Sequence, residues 1–376
     1  MRKTLLATTA LAAATGMAAI ASPASAAERL SLGIGGYFQA YYGFFDSDED
    51  AGAQSTRSND FFREAEVHFR GEVALDNGMK VGVNVELEAE TCDDQIDESY
   101  LYFQGDFGKL VLGSENSAAY LMSYGAPAAF SSIDGADPNY YPFGTPTATT
   151  VVGPQFNYAP NMTTDSEKVS YFSPRFGGFG FGLSYTPDNT EDVAGAFIPS
   201  RDKDGAGLSP YFGGNAFDEV VEAAINFEQK WGSFGVLAGA TYGHSFSTES
   251  AAVVTPGGVI GTEKRDQVSA GLNLTYSGFT VGAGYLWDDL GLQGNNDRTV
   301  WAFGGAWANG PLRIGASVAL NDNNNTTENT TRYSLGTSYV YAPGMTANAG
   351  VFYWDTDSVP QYENTMAVIV GTAVSF

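Results

Sequence analysis

The chain has 376 residues, 43 of them acidic and 18 basic, for a formal charge of −25. That balance excludes nucleic acid as a partner, because binding there rests on neutralising phosphates. A single cysteine, Cys92 in the polar stretch "ETCDDQ", excludes an intramolecular disulfide framework and a cysteine-based metal site.

At the start of the chain stand Arg2 and Lys3, an apolar run from Leu5 to Ile20, and Ala24-Ser25-Ala26. A basic start, a short apolar run and a small-x-small site are the marks of a secretory signal. Residues 1–26 are therefore predicted to be a leader, and residues 27–376 a single structural unit. Without Arg2 and Lys3 the balance is 16 basic to 43 acidic residues, a formal charge of −27. After the leader there is no apolar run of helix-spanning length. What recurs is alternation with a period of two, the pattern of half-apolar strands.

The first predicted strand, "LSLGIGGYFQAYYGFF", carries Leu32, Ile34, Phe38, Ala40 and Tyr42 on one face. In the second, Ala65, Val67, Phe69 and Val73 alternate with Glu64, Glu66, His68, Arg70 and Glu72. An Asn77-Gly78 turn follows, and the chain returns with Val81, Val83, Val85 and Leu87 against Lys80, Asn84, Glu86 and Glu88. Asn-Gly between two alternating runs predicts a hairpin. The same alternation recurs in "EVVEAAINFEQKW", "RDQVSAGLNLTYS", "LRIGASVALN" and the terminal "MAVIVGTAVSF".

Seven short turn signals ("DNGMK", "GDFGKL", "RFGGFGF", "KWGSFG", "YSGFTV", "ANGPLRI" and "YAPGMT") alternate with long acidic or Asn/Gly-rich connections. Tight turns on one rim, long loops on the other and about sixteen strands are the layout of an all-β transmembrane antiparallel barrel, whose closure leaves no sheet edge. Aromatics at predicted strand ends, among them Tyr41, Phe44, Phe61, Trp231, Tyr339 and Trp354, are expected to form girdles at the lipid headgroups. A secreted soluble adhesin or surface protein is the rival reading. It would have to bury the Glu, Arg and Asn of these strands in its core, at prohibitive cost.

The third long connection, residues 116–157, has no sustained strand pattern. Its aromatic residues are too many for a solvated chain, so it is predicted to fold inward as a constriction. Its formal charges are Asp134 and Asp137. They are expected near the narrowest section, facing the inward bases His68 and Arg70, with Lys80, Lys230, Arg265 and Arg313 also inward by parity. Facing rows of opposite charge would set a transverse field. Inward acids, among them Glu66, Glu86 and Glu88, predict a preference for cations.

Two stretches carry a family resemblance. The terminal alternation ending in Phe376 resembles the C-terminal assembly signal of Gram-negative outer-membrane proteins. "GDFGKLVLGSENSA" at 105–118 is similar to the "G-x-FG-x-x-x-LG" stretch of general trimeric porins, in an alphaproteobacterial-like form. The resemblance implies a water-filled channel for passive diffusion of small hydrophilic solutes and ions, or a substrate-specific variant of one. It also implies a third loop folded into the pore, a homotrimer, and an outer-membrane setting with lipid and lipopolysaccharide as neighbours. Ser114 stands where many members have a basic residue, and "YPFGT" where many have "PEFGG". Both departures weaken any transfer of the family's arginine ladder.

No cofactor is required by this reading. Acidic loop clusters offer oxygen ligands of the kind Ca2+ or Mg2+ takes: Asp46 and Asp48, Asp134 and Asp137, Asp202 and Asp204. Catalysis is not expected. The two histidines, His68 and His244, lie in no G-x-S-x-G or H-E-x-x-H motif.

Overall fold

The computed structural model describes residues 30–49, 58–89, 96–127, 160–189, 217–248, 253–255, 258–260, 263–294, 296–324, 328–356 and 362–376. Sixteen strands close into one antiparallel barrel in the order β1-β18-β17-β16-β15-β14-β13-β12-β9-β8-β7-β6-β5-β4-β3-β2. In chain order they are β1 (Ser31–Glu49), β2 (Asn59–Ala74), β3 (Lys80–Glu88), β4 (Ile96–Gly105), β5 (Gly108–Ser114), β6 (Glu167–Phe172), β7 (Phe179–Asp188), β8 (Phe217–Trp231) and β9 (Phe234–Thr248). After these come β12 (Asp266–Tyr276), β13 (Phe279–Asp288), β14 (Arg298–Asn309), β15 (Leu312–Asn323), β16 (Glu328–Ala342), β17 (Met345–Thr356) and β18 (Tyr362–Ser375). A separate small hairpin, β10 (Val253–Thr255) with β11 (Gly258–Ile260), lies in the connection between β9 and β12. A four-residue helix, α1 (Ala118–Leu121), follows β5.

The seven predicted tight turns each join two neighbouring strands of the barrel. At the first of them Gly78 has φ +81°, its N–H donates to the Leu75 carbonyl at 2.8 Å, and the Asn77 side-chain oxygen accepts from Met79 N at 3.0 Å. Glycine supplies the positive φ and asparagine the local acceptor, which is why this dipeptide makes the turn.

The barrel closes between the two ends of the chain. β1 pairs with β18 from Tyr37↔Ser375 through Ser47↔Thr365. Phe376 N donates to Gly36 O and Gly36 N to Phe376 O, each at 3.0 Å, completing the last rung. Outward faces are apolar: Leu32 is 62% exposed, Ile34 71% and Phe61 72%. In water so much exposed apolar surface is costly, whereas hydrocarbon is the natural neighbour of such a band. Near the short-turn rim Phe227, Trp231 and Phe234 stand with ring centroids 6.2–6.3 Å apart.

Two expectations need correction. Tyr41 and Trp354 are not girdle residues, since both are buried in an inward cluster with Ala126, Phe352 and Ile369. Neighbours along a strand point to opposite faces, so Tyr42 and Tyr353 face out while Tyr41 and Trp354 face in. The long connection "STESAAVVTPGGVIG" holds the β10–β11 hairpin. The "DSDED" and "NDNNNTTEN" connections are shorter than expected, because β1 runs to Glu49 and β15 to Asn323, with β16 opening at Glu328. The predicted leader lies outside the described residues.

Candidate functional site: the barrel interior

After β5 the chain turns into the barrel. Ser117 caps α1, its Oγ accepting from Tyr120 N at 3.3 Å. The same Oγ donates to Glu222 Oε1 at 2.8 Å, and Thr163 Oγ1 donates to Glu222 Oε2 at 2.5 Å. Glu222, fully buried on β8, thus holds the outgoing and the returning stem of the third long connection. Lys168 on β6 adds a second clamp. Its Nζ donates to the carbonyls of Thr164 at 2.8 Å and Ser166 at 2.5 Å, and to that of Glu115. Buried charges in such places are tolerated because they are fully hydrogen-bonded.

Beyond α1, residues 122–127 run along the inner wall. They cross β7 at Gly182, β9 at Gly239, β12 at Gly271 and β14 at Gly304, where a Cβ would meet Met122, Tyr124 or Pro127. At Gly271 that Cβ would stand 1.4 Å from Tyr124 O, so only glycine lets the two backbones approach this closely. Wall amides satisfy the crossing backbone: Asn273 Nδ2 donates to Gly125 O at 2.6 Å, and Asn226 Nδ2 to Met122 O at 3.3 Å. Tyr124 OH donates to Glu228, which also pairs with Arg175 Nη2 at 2.5 Å. The inward fold of the segment's first part is therefore described. Asp134 and Asp137, expected at its narrowest point, lie outside the described residues.

A polar network covers the facing wall. Ser338 Oγ donates to Asn348 Oδ1 at 2.7 Å, Asn348 Nδ2 to Tyr41 OH at 3.2 Å, and Tyr41 OH to Gln39 Oε1 at 3.0 Å. Gln39 Nε2 then reaches Glu64 Oε2 at 3.2 Å, while Tyr37 OH contacts Glu64 and reaches Glu66 Oε1 at 2.6 Å. His68 Nε2 lies 2.7 Å from Glu66 Oε2 and 3.4 Å from Glu86 Oε2. Arg70 Nη2 donates to Glu86 Oε1 at 2.8 Å and its Nε to Asn84 Oδ1 at 2.9 Å. Glu88 stands opposite Glu66 in the β2–β3 register.

The predicted parity of these residues holds, and His68, Arg70, Glu66, Glu86 and Glu88 are brought together. His68 and Arg70 pair with acids of their own wall, Glu66 and Glu86. Lys80 likewise pairs with Glu72 at 2.8 Å. Arg265 sits away from this group, its Nε and Nη2 2.9 and 2.6 Å from Asp288 Oδ1 and Oδ2, with Arg298 3.5 Å from the same carboxylate. Arg313 faces inward near the short-turn end of β15, opposite Ser338. Lys230 lies at the rim beside the Gly232 turn. Of the proposed hard-cation ligands only Asp46 has a described side chain. It is exposed and joins none of the groups of three ligand-bearing side chains found among the described residues.

Tyr37, Glu98, Lys168, Asp288 and Arg298 were not singled out from sequence; Glu98, opposite Glu86 on β4, accepts from Asn116 Nδ2 at 3.0 Å. Tyr37 and Glu98 could have been found by parity, since each is inward on its strand. Lys168 and Asp288 could not, because their partners are distant in sequence or are backbone carbonyls.

A family model described as Gram-negative porin matches residues 7–358. The chain is a Gram-negative porin. Solved porins share its fold. The anion-selective porin of Comamonas acidovorans is 16% identical with a TM-score of 0.63, covering 93% of this chain and 100% of its own. OmpT of Vibrio cholerae in its trimer form is 12% identical with a TM-score of 0.62, and OmpF of Salmonella typhi in complex with daunomycin is 13% identical with a TM-score of 0.59. Each of those two also covers 93% of this chain and 100% of its own. No curated protein sequence matches. This porin is thus an outer-membrane β-barrel with a channel fold.

Proposed function

We propose that this porin passes small hydrophilic solutes and ions by passive diffusion, that it prefers cations, and that it performs no catalysis. The observation that carries the cation preference is the wall of β2 and β3, where Glu64, Glu66, Glu86 and Glu88 face inward and the nearest bases, His68 and Arg70, are already engaged by carboxylates. A surplus of inward acid raises local cation concentration and repels anions. The Comamonas relative is named anion-selective, but at 16% identity its lining charges do not transfer. A homotrimer in contact with outer-membrane lipid and lipopolysaccharide is proposed by analogy with the trimer form of OmpT.

The test is a reversal potential across a planar bilayer under a salt gradient. Cation preference is expected, and a reversal potential of the opposite sign would overturn it. Swelling of proteoliposomes in small sugars checks solute passage independently of charge.

A further inference from the structure

The wall network contains one arrangement that ion selectivity does not require. We propose that Glu66, His68 and Glu86 form a binding site for a borderline divalent cation, with Zn2+ as the representative. Their ligand atoms all lie within 4.8 Å of one another. His68 Nε2 faces Glu66 Oε2 at 2.7 Å and Glu86 Oε2 at 3.4 Å. Four ligands at about 2.0–2.1 Å in a tetrahedron stand about 3.3 Å apart, so the Glu66 contact must open by about 0.6 Å, the Glu86 contact already fits, and the two carboxylate oxygens, within 4.8 Å of each other, need at most a small rotamer adjustment to close.

The atoms that face away from this point are held by other groups. Glu66 Oε1 accepts from Tyr37 OH at 2.6 Å. Glu86 Oε1 accepts from Arg70 Nη2 at 2.8 Å and from Asn84 Nδ2 at 2.7 Å. His68 Nδ1 lies 2.8 Å from Arg70 Nη2. Partners that fix the far atom of the two carboxylates are what orients a metal site. This is more than an acidic cluster: an imidazole nitrogen sits between two carboxylate oxygens, and such a donor set suits Zn2+ better than Ca2+ or Mg2+.

Arg70 can only donate, so in the metal-free state Nδ1 accepts and the ring proton rests on Nε2, directed at Glu66. Metal entry replaces that Nε2–H by a nitrogen–metal bond, and the proton reappears on Nδ1. The Arg70 contact with Nδ1 is then given up. The Arg70 side chain, 62% exposed, has room to move while keeping Glu86. Lumen water completes the coordination.

Tag-free, full-length porin in detergent, in a Cys92→Ser background, is titrated with ZnCl2 by calorimetry. One strong site per chain is expected. His68→Gln and Glu66→Gln should each weaken binding at least about tenfold, while His244→Gln, at the only other histidine, should leave it unchanged. Heat-modifiable migration confirms that each variant is folded. Absence of binding, binding indifferent to His68→Gln, or an equal loss in His244→Gln would overturn the site. Zn2+ should also reduce single-channel K+ current in the wild type and not in His68→Gln. Because the titration does not depend on conduction, binding that requires His68 supports the site even if current is unaffected; that second result would instead count against this wall lining the conducting path.

Discussion

At Phe376 the backbone makes the last rung with Gly36 while the ring is 67% exposed on the outer surface. Two backbone bonds at a strand end contribute only about 1–3 kcal/mol together, so the equilibrium stability of a closed barrel should change little without them. An exposed terminal ring is instead positioned to be read before closure. Deleting Phe376 should cut the yield of heat-modifiable, assembled barrel severalfold and leave single-channel conductance unaltered; normal accumulation of assembled channels would contradict this. Gly271 is a second decisive residue. Gly271→Ala places a methyl where Tyr124 O now lies, and the crossing segment must lift from the wall. Conductance is expected to change and the denaturation midpoint to fall. Gly310→Ala should leave conductance unaltered, because the added carbon there meets nothing and only the positive φ of the turn resists it. In the outer connection after β13, Asp297 accepts from Asn324 Nδ2 at 2.9 Å and Trp287 Nε1 at 3.0 Å, which hold its carboxyl below the usual aspartate range. A lowered folded value means that the tie is present above the ordinary aspartate pKa and is lost as pH falls through the folded one. Proteolysis of this connection should therefore rise at strongly acidic pH, and Asp297→Ala should show the same sensitivity already at neutral pH.

At the scale of elements, the third connection is held where it leaves and where it returns. Glu222 accepts from Ser117 and Thr163, and Lys168 donates to the carbonyls of Glu115, Thr164 and Ser166. Glu222→Ala strands two buried hydroxyls, each costing about 1–3 kcal/mol, and frees both stems together. Single-channel records should show added noise or sub-conductance states, and protease should cut within residues 115–127 where it does not in the wild type. A quiet channel of unchanged conductance would show that the wall glycines and Asn273 are enough to hold the segment. The strands themselves need no such device. Each satisfies its backbone groups with both neighbours, and the outward residues need only be apolar.

For the whole molecule, charge on the inner wall is the property that function reads. Neutralising Glu64, Glu66, Glu86 and Glu88 together to Gln should shift the reversal potential toward that of a non-selective pore. The same change at surface acids of the outer connections should shift it less, because exposed charges are screened over about 8–10 Å of electrolyte. An equal shift from both sets would place selectivity at the mouth instead of the wall. Retention of the barrel in the quadruple variant is expected, since each Gln keeps a side-chain oxygen to accept from Tyr37, His68, Asn84 or Arg70 and removing like charges relieves repulsion.

The alternation of Val81 to Leu87 against Lys80 to Glu88, the Asn77-Gly78 turn, and the apolar bands ending at Tyr42 and at Val374 were all legible in the sequence, because strand parity and turn chemistry are local. Closure of β1 on β18 was legible too, since both end strands carry an apolar outer face and an open barrel would leave their backbone groups unpaired in lipid. The inward course of residues 116–127 could be anticipated from their composition, but not the wall they would cross. What only the tertiary structure decided is which charges meet. His68 and Arg70 pair with Glu66 and Glu86 beside them, a match that parity alone does not give. Ser117 and Thr163 find Glu222 across a register that neither sequence neighbourhood records. Parity assigns a side chain to a face; its height and its neighbours follow from strand stagger and barrel closure, which are properties of all sixteen strands together.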